Sequence, residues 1–204
     1  MAYKFSYQDN SMIHSRGERL NEPVAPGFKE RLDSSVDLAE HVTIVGWRPD
    51  TGLYVIESML NSGKKVHVVE IFKSNCLNLD CTAARAFKDK EAGPLLTSRL
   101  EIHNIDVQNF EMAIPESERG TLIWQDGPEH LEMDKSVKTI KKLQKTYNSI
   151  VISTPNGLHE QGALYGNEAE RHLSAWHIED YENLGFQCHV IGDHFLIGLW
   201  RREE

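Results

Sequence analysis

The chain has 204 residues, of which 40% are hydrophobic and 26% charged, a composition typical of one globular domain with a continuous core. Asp and Glu outnumber Lys and Arg by 31 to 22, and the net charge of −9 disfavours non-specific binding to nucleic acid. No apolar run reaches the roughly 18 residues needed to span a bilayer. With three cysteines and no visible secretion signal, we expect a cytoplasmic location.

In chain order, a polar segment broken by Gly and Pro over 1–30 predicts an N-terminal arm, followed by one domain over 31–204. A weakly helical pattern covers 28–40. Short apolar runs then alternate with helical stretches at 53–62, 76–88, 134–147 and 177–184. The predicted strands are 41–46, 65–72, 100–107, 120–125, 149–153, 186–191 and 194–201. This alternation predicts a doubly wound α/β sheet, mostly parallel, with its ligand at the carboxyl ends of the strands.

The turn after the first strand is a candidate ligand loop. It reads Val-Gly-Trp-Arg-Pro-Asp-Thr-Gly over 45–52, and an acid, Glu70, follows 18 positions after Gly52 at the end of the second strand. Glycines allow close approach of a ligand to the backbone, and an acid at this spacing can accept hydrogen bonds from both ribose hydroxyls. With only two glycines, an ordinary strand-to-helix turn is equally compatible.

Two more strand ends carry polar groups. Asp106, after the third strand, can accept a hydrogen bond from the amine of adenine or can cap a turn or helix. The fourth strand leads into Trp124-Gln-Asp126-Gly-Pro-Glu-His130, which brings aromatic, acidic and imidazole groups to the same edge. Asp-Gly-Pro also forms a good turn.

Several motifs occur in an order that resembles a known family. After the glycine turn and the two acids come Asp-x-x-Glu-His-Leu (126–131), Ser-Thr-Pro-Asn-Gly (153–157), Gln161, Asn167, Arg-His-Leu-Ser-x-Trp (171–176) and Leu-Gly-Phe (184–186). This order resembles the class I S-adenosylmethionine-dependent methyltransferases, in particular the small UbiG-like or Methyltransf_23 members. Gly-Glu-Arg-Leu at 17–20 is similar to an arm found in some of them.

The resemblance implies a Rossmann-like seven-stranded sheet of order 3-2-1-4-5-7-6, with strand 7 antiparallel. It implies S-adenosylmethionine as cofactor and a small-molecule acceptor, without nucleic acid or membrane as partner. Residue by residue, it assigns the cofactor's methionine part to Gly46 and Gly52, the ribose to Glu70, the adenine to Asp106 and the neighbourhood of the sulfonium to Asp126. Oligomeric state is not indicated.

The front of the chain departs from the family pattern. The family's acid in the first strand is Thr43 or Ile44 here, and Trp47 and Arg48 stand where small residues are usual. Arg48 and Asp50 are therefore candidates for an altered contact to the cofactor, with Arg48 suited to its carboxylate. These departures keep open a methyltransferase-like protein that binds without catalysis. An NAD-dependent oxidoreductase is a third hypothesis.

Transfer to a hydroxyl oxygen requires a base, and imidazoles near the strand ends are the candidates. We place His172 first and His130 second, with His159 also nearby; packing roles remain open for both of the first two. No His-x-x-x-His, His-Glu-x-x-His or Cys-x-x-Cys spacing occurs, so no metal site is predicted. Several acids fall at the predicted cofactor edge, which suits a cationic sulfonium better than a phosphate-rich ligand.

Overall fold

The computed structural model describes residues 39–47, 56, 59–88, 93–163, 167–191 and 195–203. The predicted arm, residues 28–38 of the helix predicted at 28–40 and three of the candidate cofactor contacts (Arg48, Asp50 and Gly52) lie outside these ranges, and residues 39 and 40 are not helical. Within them, the chain forms a seven-stranded sheet in the order β3-β2-β1-β4-β5-β7-β6, which confirms the predicted order. The strands are β1 His41–Val45, β2 Lys65–Glu70, β3 Leu100–Asn104, β4 Thr121–Gln125, β5 Ser149–Pro155, β6 Gln187–Ile191 and β7 Phe195–Arg201.

The central strands are parallel and buried on both faces. Pairs β1–β2, β1–β4, β2–β3 and β4–β5 are parallel, and β7 runs antiparallel to both β5 and β6. Runs such as His-Val-Thr-Ile-Val in β1 and Thr-Leu-Ile-Trp-Gln in β4 are β-branched and apolar, as a strand covered on both sides requires. Alternate residues enter two hydrophobic clusters: Val42 and Ile44 belong to one, and Val45 to the other.

Four α-helices are described: α1 Lys73–Lys88, α2 Gly93–Ser98, α3 Met133–Gln144 and α4 Ile178–Glu182. Helix α3, which overlaps the helical stretch predicted at 134–147, buries Ile140 and Leu143. On its opposite face, Lys142 forms an ion pair with Glu111 and donates a hydrogen bond to the Gln108 carbonyl at 2.7 Å, so this lysine ties α3 to a neighbouring loop.

Two boundaries differ from the sequence expectation. Gly93-Pro94 begins α2, a helix that the sequence did not predict, because proline fits the first helical turn, where its missing N–H is not needed. Strand β3 ends at Asn104 and not at 107, because Asp106 caps a 3₁₀ helix at Val107–Met112. No described helix has both the length and the apolar content to cross a membrane.

Candidate functional site

A pocket of about 170 Å³ opens at the carboxyl ends of β1, β2, β3 and β4. This is the edge at which doubly wound sheets bind their ligands, beside the strand where the order reverses. Five residues predicted from the sequence line it: Gly46, Glu70, Asp106, Asp126 and His130.

Gly46 makes the turn out of β1. Its φ of 76° is in the left-handed region that favours glycine, and its N–H donates to the Val69 carbonyl at 2.9 Å. Trp47 follows, only 2% exposed, and packs into the hydrophobic cluster beneath the pocket. The hydrophobic core therefore accommodates the bulky side chain of Trp47. Its buried indole N–H has no hydrogen-bond partner among the described residues, which leaves a donor beside the pocket.

Glu70 is the buried acid of the site. It is 4% exposed, and its two carboxylate oxygens accept hydrogen bonds from the backbone N–H groups of Trp47 (2.9 Å) and Phe72 (2.8 Å). Burial raises the pKa of this carboxyl, while the two backbone donors act in the opposite direction. A carboxylate has about four lone-pair positions, so Glu70 retains acceptor capacity after binding both backbone groups.

Asp106 has the capping role that the sequence left open, and it also lies in the wall of the pocket. Its carboxylate accepts a hydrogen bond from the Gln108 backbone N–H at 2.8 Å and caps the 3₁₀ helix, and it also lines the pocket. Ile71 and Ile105 provide apolar surface next to it, and Ile71 is 47% exposed. An acceptor beside an apolar wall is an arrangement that suits a flat heteroaromatic ring.

The end of β4 is held in an unusual conformation. Asp126 is the one non-glycine residue with positive φ among the described residues, at 42°, and its N–H donates to the Ser153 carbonyl at 2.9 Å. At Gly127 a Cβ atom would lie 1.7 Å from the indole nitrogen of Trp124, so only glycine fits there. Backbone held in a sparsely populated region is typical of ligand-contacting turns.

Two histidines lie together at the rim. The rings of His130 and His172 meet edge to face with centroids 4.8 Å apart. Nδ1 of His130 is 3.3 Å from the Arg171 carbonyl, and Nδ1 of His172 is 2.6 Å from the His159 carbonyl. Because a carbonyl only accepts, each Nδ1 carries a proton, and Nε2 is the basic nitrogen of each neutral ring. Of the two histidines, His130 is the one in the pocket lining. His172 is outside that lining, with its ring in contact with that of His130.

The segment that carries His172 is fixed by hydrogen bonds to the β4 end. The N–H groups of Leu173 and Ser174 donate to the Glu129 carbonyl at 2.7 and 3.1 Å, and His172 N–H donates to the Gln161 carbonyl at 3.0 Å. Trp176 is fully buried, with its indole N–H on the Ser174 hydroxyl at 3.1 Å. These bonds hold in place the segment from which Ala169 and Glu170 reach the pocket.

The described lining of the pocket is rich in acidic side chains. Four of its described lining residues are carboxylic acids (Glu70, Asp106, Asp126 and Glu170), and none of its described lining residues is lysine or arginine. A cation is favoured here and a polyanion disfavoured. At the rim, one potential ligand atom from each of Glu129, His130 and His172 lies within 4.8 Å of the other two. Such a group can hold a metal ion, although no metal-binding motif in the sequence predicted it.

Sequence reasoning missed three pocket residues: Trp47 as a donor, Ile71 as an apolar wall and Glu170 as a fourth acid. Trp47 was noted as a departure from small residues, but its burial depends on the core around it. Glu170 comes from an irregular segment after β5, and nothing in its local pattern indicates that it returns to the strand ends. The position of Ile71 directly after Glu70 is the one signal that could have found it.

No family profile matches the chain, and no curated protein matches it. Solved structures do resemble it. Magnesium protoporphyrin IX methyltransferase from Synechocystis PCC 6803 with S-adenosylhomocysteine bound is 11% identical, with a TM-score of 0.55 over 100% of this chain and 90% of that one. The methyltransferase domain of a bacterial Hen1 is 15% identical, with a TM-score of 0.55 over 92% and 99%.

A putative zinc-dependent alcohol dehydrogenase from Rhodobacter sphaeroides also matches, at 11% identity and a TM-score of 0.55 over 83% of this chain and 87% of that one. At such identities, the likenesses establish the fold. The chain has the Rossmann-like fold found in S-adenosylmethionine-dependent methyltransferases, with the strand order that the resemblance implied.

Proposed function

We propose that this protein is an S-adenosylmethionine-dependent methyltransferase that transfers a methyl group to a small-molecule acceptor, at a hydroxyl oxygen. The observation that carries the proposal is the acidic pocket at the strand ends, in which Glu70 is anchored beside the glycine turn. The neighbour with S-adenosylhomocysteine bound supports the cofactor class. Membership of the UbiG-like or Methyltransf_23 group, and a cytoplasmic location, are part of the same proposal.

The cofactor would lie with its ribose at Glu70 and its adenine between Ile71 and Ile105, with Asp106 accepting from the amine. Its methionine part would face Gly46, with Arg48, Asp50 and Gly52 as further proposed contacts. Asp126 then stands near the sulfonium. Apart from Arg48, Asp50 and Gly52, the residues in these assignments line the pocket. The assignments combine the family resemblance with those positions.

When bound, S-adenosylmethionine would supply a methyl group to the acceptor oxygen, with the electron pair of the carbon–sulfur bond remaining on sulfur. The hydroxyl proton of the acceptor would pass to an imidazole Nε2 of this chain. We assign this base to His130, because it lines the pocket, and we assign His172 to orienting it through their edge-to-face contact. This order reverses the sequence-based preference for His172.

Calorimetric titration of the full chain with S-adenosylmethionine, S-adenosylhomocysteine and NAD tests the proposal. We expect the first two to bind and NAD to bind far more weakly, because its pyrophosphate would face four carboxylates. Absence of binding of both sulfur compounds at millimolar concentration would overturn the proposal. Binding without methyl transfer to any of a panel of hydroxylated acceptors would favour the binding protein without catalysis.

Cofactor affinity should depend on pH through Glu70. The ionised carboxylate accepts from ribose hydroxyls, and burial places its pKa above the 4.5 of an ordinary glutamic acid. Affinity for S-adenosylhomocysteine is therefore expected to be constant above this raised pKa and to fall as the pH decreases through it. Titrations at a series of pH values measure the midpoint. The Glu70→Gln variant should bind weakly with a flatter profile, and an unchanged profile in that variant would exclude Glu70 as the titrating group.

A further inference from the structure

A second polar cluster lies between β2 and the edge strand β3, and its members are not among the residues that line the pocket. His67 on β2 and Glu101 and His103 on β3 share one face, because His67 is in register with Glu101 and Val69 with His103. Side chains alternate along a strand, so residues 101 and 103 point to the same side as residue 67. The imidazole of His67 is fully buried, and the nearby part of the sheet edge is polar.

Three side-chain atoms of this cluster converge. Nδ1 of His67 is 3.0 Å from Nε2 of His103, and these two nitrogens are 3.7 and 3.8 Å from the same oxygen, Oε2 of Glu101. A point in their plane equidistant from all three atoms lies about 2 Å from each, which is the length of Zn–N and Zn–O bonds. The two rings meet end to end, with centroids 5.3 Å apart, so the partly exposed His103 ring would turn to direct its lone pair to that point. Two imidazoles and one carboxylate are a ligand set that zinc uses.

The surroundings of these three atoms orient them. The other oxygen of Glu101 is 2.7 Å from the Lys65 ammonium, which leaves Oε2 toward the histidines. The other ring nitrogen of His67, Nε2, lies 2.8 Å from Oε2 of Glu118, a close polar contact although its angle departs from that of an aligned hydrogen bond. A carboxylate on the far nitrogen is the usual partner of a metal-bound histidine, because it fixes the tautomer that presents the near nitrogen.

From this geometry we propose that His67, Glu101 and His103 form a zinc-type divalent cation site that joins β2 to the edge strand β3. The side chains of His103 and Glu101 are partly exposed, 17% and 43%, so a cation can enter from that side and a water molecule can complete four-coordination. The proton between the two histidine nitrogens leaves that contact on binding and moves from Nε2 to Nδ1 of His103, so that both imidazoles bind the cation as neutral ligands. The site is independent of the proposed cofactor chemistry.

Zinc titration of the metal-free full chain, in competition with a chromophoric chelator, tests this site. We expect one-to-one binding here, a melting temperature that rises with zinc, and the absorption bands of tetrahedral coordination when Co²⁺ replaces zinc. His103→Gln and Glu101→Gln are chosen because both residues are partly exposed and their replacement leaves the buried His67 in place. Each should weaken zinc binding by at least about tenfold.

Two controls separate this site from others. His189→Gln changes an exposed histidine on β6 and should leave zinc affinity unchanged. His172→Gln removes a potential ligand of the rim cluster and should leave the cobalt spectrum of the β2–β3 site intact. If the protein binds no zinc, or if His172→Gln abolishes binding while His103→Gln does not, the proposal is wrong. Either result leaves the proposed methyltransferase function unaffected.

Discussion

Replacing Glu70 with alanine is expected to weaken the binding of S-adenosylhomocysteine by at least about 100-fold. Two hydrogen bonds from ribose hydroxyls to an ionised, buried carboxylate would be lost, and hydrogen bonds to charged groups contribute about 1.5–3 kcal/mol each. The substitution also releases the N–H groups of Trp47 and Phe72, which Glu70 holds at 2.9 and 2.8 Å. The turn after β1 therefore loses its anchor together with the ligand contact.

Isothermal titration of the variant measures this effect, and circular dichroism shows whether the fold is retained. Glu116→Ala is a matched control, because Glu116 is an exposed acid in a 3₁₀ helix that does not line the pocket. A Glu70→Ala protein that binds S-adenosylhomocysteine as tightly as the parent would exclude the ribose assignment.

Replacing His130 with glutamine is expected to lower kcat for methyl transfer by about 10²–10⁴-fold, the usual contribution of a general base. Cofactor affinity should remain near that of the parent, because the proposed contacts to the cofactor are made by other residues. His172→Gln should cause a smaller loss, since its ring acts through its contact with His130, at 4.8 Å between centroids.

Steady-state kinetics on the acceptor found in the methyl-transfer panel measure these changes. A purely structural role would lower stability without changing the pH profile. A base should instead remove the imidazole-dependent limb of that profile, and added imidazole should restore part of the rate to His130→Gln. His189→Gln is the matched control on an exposed strand. An unchanged kcat in His130→Gln would remove it as the base.

The doubly wound α/β sheet could be predicted because apolar runs and helical periods alternate through most of the chain, whereas the order of its strands was implied by the family resemblance. The position of the pocket followed, since the ends of parallel strands meet at one edge. Five of the candidate residues come to that edge because each ends a strand, directly follows one or lies in the turn after it. For these five residues, the local sequence pattern was sufficient to predict their position at the pocket.

The other features of the two sites could not be predicted, because they depend on contacts between distant parts of the chain. Glu170 reaches the pocket because the segment around it is hydrogen-bonded to Gln161 and to the Glu129 carbonyl. Such hydrogen bonds cannot be predicted from the spacing of residues in the sequence. The cluster of His67, Glu101 and His103 spans two strands that are separated by helices α1 and α2. Metal-binding motifs describe ligands close together in sequence, so a site assembled by strand register escapes them.

The first strand also bears on which acid could pair with a cationic ligand. Thr43 is fully buried and accepts a hydrogen bond from the Tyr147 hydroxyl, and Ile44 lines the pocket with an apolar side chain, so β1 offers no carboxylate there. In the proposed complex, a cationic cofactor would therefore pair with an acid from another element, and Glu170 in the segment after β5 is such an acid. Because His172 belongs to the same segment, the proposed cofactor and its acceptor would share one structural element.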